Sequence, residues 1–259
     1  NSNAADMTVT SSDGGSGLAS TTCTIDAAAT TCGDALANLA DGSHTYVATA
    51  TDNAGNSASA TFTWVSDTID PAVSVSGPAD PSNSADADMT VTSSDGGSGL
   101  ASTTCTVDTV AAACGDDLTD LSDGSHTMAA TATDNAGNSA SASYTWVVDT
   151  TGPSASIDSN PADNNNDNDD ASFTFSGTDA TSGVASFECN FDGGDYAACT
   201  SPHDAGDGLA DGTHTFNVRA IDNAGNTGDS APYSWLVDVT DPAVSISDTP
   251  AAETNSDAA

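Results

Sequence analysis

One sixteen-residue stretch occurs three times and sets the period on which the rest of the chain is laid out: residues 41–56, 123–138 and 211–226. After an Asp-Gly turn, every second residue is apolar or large: His44, Tyr46, Ala48 and Ala50 in the first copy, His214, Phe216, Val218 and Ala220 in the third. The residues between them are mostly polar. A period of two is the signature of a half-buried β-strand. Each copy then enters Asp-Asn-Ala-Gly-Asn, whose Asn and Gly tolerate positive φ and close a second turn.

Other landmarks keep the same phase. Trp64, Trp146 and Trp235 are 82 and 89 residues apart, and Met7, Met89 and Phe173 are 82 and 84 apart. The repeating unit is therefore about 82 residues, with an insertion around residues 201–208 of the third copy. A unit of that size is a domain rather than a solenoid rung. Each unit reads as short strands with turn punctuation every 8–12 residues and no helical period. This predicts an all-β protein: tandem immunoglobulin-like antiparallel β-sandwich domains arranged as a linear rod. The expected boundaries are 1–68, 69–150 and 151–239, with 240–259 supplying the first strand of a further domain.

The phase of the ends carries an expectation of its own. Asn1-Ser2 aligns with Asn83-Ser84, so the first domain is expected to lack its first strand. With no initiator Met and no signal peptide, the chain reads as a mature or excised piece. Pro242-Ala243-Val244-Ser245-Ile246-Ser247 repeats that first strand. Two readings stand: the strand continues a longer array, or it completes the open first domain of a neighbouring copy.

Charge limits the partners. Against 38 acidic residues there is one cation among Lys and Arg, Arg219, for a formal charge of −37. That sign excludes nucleic acid and anionic membranes as simple partners, and it repels itself in a compact chain. At ~1 M salt the Debye length shrinks to roughly 3 Å and most of the repulsion is screened. The composition thus implies high salt, divalent cations, or both. No stretch is long and apolar enough to span a bilayer, so direct membrane insertion is not expected.

Six Cys fall two to a unit: Cys23 with Cys32, Cys105 with Cys114, Cys189 with Cys199. In the third unit the two Cys lie equidistant from Gly194 in a hairpin, where they are expected to face each other and bridge. Three such disulfides imply an oxidising, extracellular or cell-surface location. No unit offers two CxxC pairs or His at zinc spacing. His44, His126 and His214 share the inward parity of the strand and follow a turn, so they read as corner residues bonded to backbone. Trp64, Trp146 and Trp235, with Phe62, Tyr144 and Tyr233 two residues earlier, read as core rather than as a sugar-stacking platform. The acidic run at residues 163–170 reads as a solvated loop or a cation-binding loop. It lacks the Gly and terminal Glu of an EF-hand.

In a sandwich of this type, the linker meets two loops of the following domain. That would gather Asp67, Asp70, Asp95, Asp134 and Asn135 at one junction, and Asp149, Asp179, Asp222 and Asn223 at the next. Converging carboxylate and amide oxygens suit Ca²⁺, which accepts six to eight such ligands. The competing reading is that Asp and Asn here only form turns.

The third unit also carries a resemblance. Phe187-Glu188-Cys189-Asn190-Phe191-Asp192-Gly193-Gly194, Cys199-Thr200-Ser201-Pro202, residues 211–220 and Asp222-Asn223-Ala224-Gly225-Asn226 resemble the immunoglobulin-like repeats of large prokaryotic surface proteins. The first two units keep the second half of the pattern and lack the Asp-Gly-Gly hairpin. The extreme acidity is similar to that of proteins of halophilic archaea. The resemblance implies a stalk, adhesin or filament module, often with calcium at its junctions, and no enzyme activity. No nucleophile or paired-carboxylate arrangement stands out from the Asp background. The expected partners are copies of the chain, or further repeats, joined end to end. An adhesin binding carbohydrate or another cell is the alternative, with Tyr196 and His203 as its candidate contacts.

Overall fold

The structure, a computed structural model, describes residues 3–163, 171–206 and 208–247. The acidic run beyond Asp163 and the chain after Ser247 lie outside the described residues. The chain forms two compact units, Asn1–Thr150 and Thr151–Ala259. The first holds two sequence repeats and the second holds one. Among the described residues there is no helix.

Each repeat is built around its alternating strand. In the second repeat Gly124–Asp134 pairs antiparallel with Ser139–Val148 on one side and Leu100–Val107 on the other, and Val110–Ala112 extends the sheet. The first repeat copies this order with Gly42–Asp52, Ser57–Ser66, Leu18–Ile25 and Ala28–Thr30. The third does so with Gly212–Asp222, Val184–Phe191 and Ala197–Cys199. There the last strand is split into Thr227–Asp229 and Tyr233–Val237. Pro232 stands in the gap, where it has no N–H to give to a ladder.

The period of two decides what is buried. Met128, Ala130 and Ala132 point inward from one strand, and the first two share a cluster with Trp146 and Val148 from the next. In the third repeat Phe216 stacks on Phe173 at 4.0 Å, with Trp235 edge-on. A second layer covers this face. It is Ala72–Ser76 with Thr90–Ser94 in the second repeat, and Ser154–Ser159, Ser172–Thr178 and His203–Asp204 in the third. The first repeat differs. Residues 7–12 have the same sequence as 89–94, yet no strand forms there, because no neighbour offers them a ladder. Phe62, expected in the core, is 58% exposed. Residues 242–247, expected as a strand, likewise pair with no strand among the described residues.

The hairpins are more alike than their sequences suggest. All three turn on two residues with positive φ: Asp26-Ala27, Asp108-Thr109 and Asp192-Gly193. These are I′-like turns, which match strand twist. The Asp-Gly pair of the third repeat is therefore not required. What recurs is the Asp. Its carboxylate accepts from the backbone N–H of Thr45, Thr127 or Thr215 at 2.8 Å and meets Nδ1 of His44, His126 or His214 at 2.7 Å. The three disulfides Cys23–Cys32, Cys105–Cys114 and Cys189–Cys199 close the same hairpins. Their Cys do not stand directly opposite, as the equidistance from Gly194 suggested. Cys189 faces Ala197, and Cys199 faces Phe187, so the bridge runs diagonally, two residues out of register.

The second ring nitrogen of each His meets a carbonyl: Ala40, Ser122 and Ala210 at 2.7, 2.7 and 2.9 Å. A neutral imidazole can donate only once, whereas both partners here are acceptors. The cation is therefore favoured. Asp26 and then the Ala40 carbonyl raise His44 above its ordinary value. Burial pulls His126 down, but the Ser122 carbonyl and Asp108 outweigh it. The Ala210 carbonyl and Asp192 outweigh burial at His214. A raised folded value adds stability that is complete below ~6.5, the unfolded value, and is lost as pH rises through the folded one. NMR titration should give three imidazole midpoints above that reference. Stability should fall with rising pH across this window, and His126→Gln should flatten the fall.

Candidate metal centre

The acidic turns form by themselves. Asp134 accepts from the backbone N–H and the side-chain amide of Asn138 at 2.8 and 2.7 Å. Asp52 and Asp222 repeat this with Asn56 and Asn226. Asp95 accepts from the N–H groups of Gly97 and Gly99, as Asp13 does from Gly15 and Gly17, and Asp179 from Thr181, Ser182 and Gly183. Asn135 donates its amide to the carbonyls of Ser98 and Gly99, and Asn223 to those of Ser182 and Gly183. It thus latches one turn to the other. Local turn chemistry accounts for all these positions.

It does not account for Asp67. This linker residue follows the last strand of the first repeat, and its carboxylate enters between two turns of the second. Its Oδ2 accepts from Ser98 N–H at 2.7 Å and its Oδ1 from Ile69 N–H at 3.1 Å. Its own carbonyl accepts from the Asn138 amide at 3.0 Å. Asp67 and Asp134 are each 2% exposed, and Asp95 is half-buried. One carboxylate oxygen from each of Asp67, Asp95 and Asp134 lies within 4.8 Å of the other two. The backbone and hydroxyl of Ser98, then the Ile69 N–H, hold the Asp67 carboxyl below its ordinary value, so it stays ionised at neutral pH. The first unit contains no Lys or Arg, since Arg219 is the chain's single one.

Of the residues expected at this junction, Asp67, Asp95 and Asp134 come together, and Asn135 stands beside them as a turn latch. Asp70 is exposed and outside the group. The second expected set is divided between the units: Asp149 belongs to the first, and Asp179, Asp222 and Asn223 belong to the second. Arg219 pairs with Asp229 at 2.7 Å and caps the Tyr196 ring at 4.0 Å. His203 stacks on Phe216. Both proposed carbohydrate contacts are thus engaged within their own repeat. The Asp–His corners were missed in the sequence. Their signal was an Asp held at a constant 18 residues before His44 and His126.

No protein-family profile matches the chain, and no curated protein matches it by sequence. Among solved structures it is similar to the fibronectin(III)-like modules of Clostridium thermocellum CbhA, at 15% identity and a TM-score of 0.38, over 64% of this chain and 94% of that one. It is similar to a tetra-tandem repeat in the extending region of a large adhesion protein, at 22% and 0.33, over 85% and 66%. A third likeness is to a 1.5-MDa bacterial ice-binding adhesin, at 18% and 0.36, over 84% of each chain.

Gly97 tests the geometry. A Cβ built there would stand 2.5 Å from Asp67 Oδ2. Gly97→Ala should destabilise the first unit, whereas in an Asp67→Ala background it should cost much less. Thermal unfolding of the four-member cycle should therefore be non-additive.

Proposed function

We propose that the chain is a non-catalytic structural module of an extracellular filament, stalk or surface protein, with calcium bound between Asp67, Asp95 and Asp134. The observation that carries the metal is the buried linker carboxylate. Asp13 and Asp52 form the same turns in the first repeat, and among the described residues no group of three carboxylates includes them. Turn formation therefore does not need Asp67. Bringing the ionised Asp67 carboxylate to within 4.8 Å of two further carboxyl groups, in a unit without Lys or Arg, calls for a counter-charge.

Calcium fits the donors. They are hard oxygens, and oxygens sharing one Ca²⁺ stand no more than about 5 Å apart, twice the ion–oxygen distance. Asp67, Asp95 and Asp134 would hold the ion, which supplies the positive charge the unit lacks. The mechanical consequence lies in the linker. Asp67 already accepts from Ser98 and Asn138 of the next repeat, and an ion there would fasten the end of one repeat to the turns of the next.

The setting follows from other observations. One hairpin disulfide per repeat fits an oxidising compartment outside the cell. The triplicated sandwich fits an array whose partners are further repeats or copies of itself. A charge of −37 fits a salt-rich or cation-rich medium. Calorimetric titration of the full chain with CaCl₂ should show binding, and Asp67→Asn should remove one ion from the isotherm. Asp70→Asn should leave the isotherm unchanged. Saturation to ~100 times Kd should stabilise the first unit by roughly 2.7 kcal/mol, read as a rise in Tm. An isotherm unaffected by Asp67→Asn would remove the ion from this site.

A further inference from the structure

The Asp-Gly turn that opens each copy of the repeated stretch is the part of that stretch which neither the core nor the candidate metal centre uses. Its Asp, Gly and His are nevertheless the same in Asp41-Gly42-Ser43-His44, Asp123-Gly124-Ser125-His126 and Asp211-Gly212-Thr213-His214. Two of the three have local reasons. Gly42 takes a φ of +131°, which L side chains rarely adopt. His44 meets the carbonyl of Ala40, the residue just before Asp41, at 2.7 Å. Asp41 itself is exposed, and it lies outside the group of Asp67, Asp95 and Asp134.

The carboxylate of Asp41 reaches the linker. It accepts from the Thr68 N–H at 3.0 Å, and the Thr68 hydroxyl stands 3.1 Å from each of its oxygens. Asp123 holds Thr150 in the same way, at 2.9 Å to the N–H and 2.8 Å to the hydroxyl. Asp211 accepts from the Val239 N–H at 2.8 Å and from the Thr240 hydroxyl. Val239 stands where Thr68 and Thr150 stand, so the donor that recurs is the backbone N–H. At the first of these linkers that N–H belongs to the peptide joining Asp67 to Thr68. The other end of the same peptide is the Asp67 carbonyl, which accepts from the Asn138 amide of the second repeat at 3.0 Å. A trans peptide is planar, with its N–H and C=O directed to opposite sides. One peptide group is thus held by the first repeat through its N–H and by the second through its C=O.

We propose that Asp41 is a positioning residue for Asp67. It fixes the plane of the 67–68 peptide, and with that plane the direction in which the Asp67 side chain leaves the backbone. The Asp67 carboxylate is then aimed at the Ser98 N–H and toward Asp95 and Asp134 before any ion arrives. A linker left free at residue 68 would have to be ordered during binding, and that entropy would be lost from the affinity. The Asp-Gly turn of the first repeat therefore tunes a calcium site whose ligands lie in the linker and the second repeat. The proposal rests on the calcium reading for its ligand and on the hydrogen bonds of Asp41 for its geometry.

The test uses the full chain and two readouts. In excess chelator, amide exchange is followed at Ser98 and Ile69, the two N–H groups bonded to the Asp67 carboxylate. The N–H of Asn138, bonded to Asp134 within its own turn, is the internal standard. Asp41→Ala should speed exchange at Ser98 and Ile69 about tenfold and leave Asn138 unchanged, the order expected for one lost charge-assisted hydrogen bond. Titration of the same variant with CaCl₂ should give a Kd about tenfold weaker. Asp41→Asn keeps an oxygen for the Thr68 N–H and should lose much less of both. Asp123→Ala removes the same charge and the same tie one linker further on, and should leave Ser98 and Ile69 as they are. Unchanged exchange at these two amides in Asp41→Ala overturns the proposal. So does acceleration that extends to Asn138, which would mark a general loss of stability. An equal loss of affinity in Asp41→Ala and Asp41→Asn overturns it too, since charge rather than position would then be the cause. A wild-type chain that binds no calcium would remove the ion, while the two amides in chelator still decide whether Asp41 positions Asp67.

Discussion

The central strand of each repeat is the constraint on which the rest depends. Gly124–Asp134 is paired along both edges, so its side chains can only alternate between the core and the outer face. That alternation buries Met128, Ala130 and Ala132. It also fixes what stands at the two ends: His126 at the corner where the hairpin Asp waits, and Asp134 where the next turn begins. A slip of one residue would turn all of them to the wrong face. The structural corner and the candidate metal centre are therefore two ends of one register.

A chain with almost no cations must hold its carboxylates by other means. The structure shows two. At the hairpin corners each Asp takes a backbone N–H and an imidazole whose second nitrogen is tied to a carbonyl, which favours the charged ring. At the turns, the carboxylates of Asp52, Asp134 and Asp222 are met by N–H groups of an Asn four residues on. Asp67 belongs to neither kind. Its N–H donors are Ser98 and Ile69, and they hold its carboxyl ionised beside Asp95 and Asp134.

The comparison of residues 7–12 with 89–94 shows how far local sequence reaches in this fold. Of six identical residues, the last five are a strand where a neighbour pairs with them, and irregular where none does. Hydrogen bonds along a strand are made between chains of residues distant in sequence, so no propensity within the hexapeptide can supply them. The same holds for Trp64 and Trp146. They are equivalent in sequence, and they differ in burial because of what lies over them.

Sequence alone determined the strand content, the repeat period and the inward side of each central strand, because apolar alternation is local and triplication makes it legible. It also indicated local Cys pairs and the Asp and Asn of the turns, whose residue chemistry demands little beyond a few neighbours. Tertiary structure decided the rest. It offset each disulfide by two residues, because the hairpin turns on two residues at Asp-Ala and Asp-Thr as readily as at Asp-Gly. It joined Asp108 to His126 across 18 residues. It placed Asp67 between Asp95 and Asp134 while leaving Asp70 in solvent, because only the path of the linker selects which carboxylate points inward.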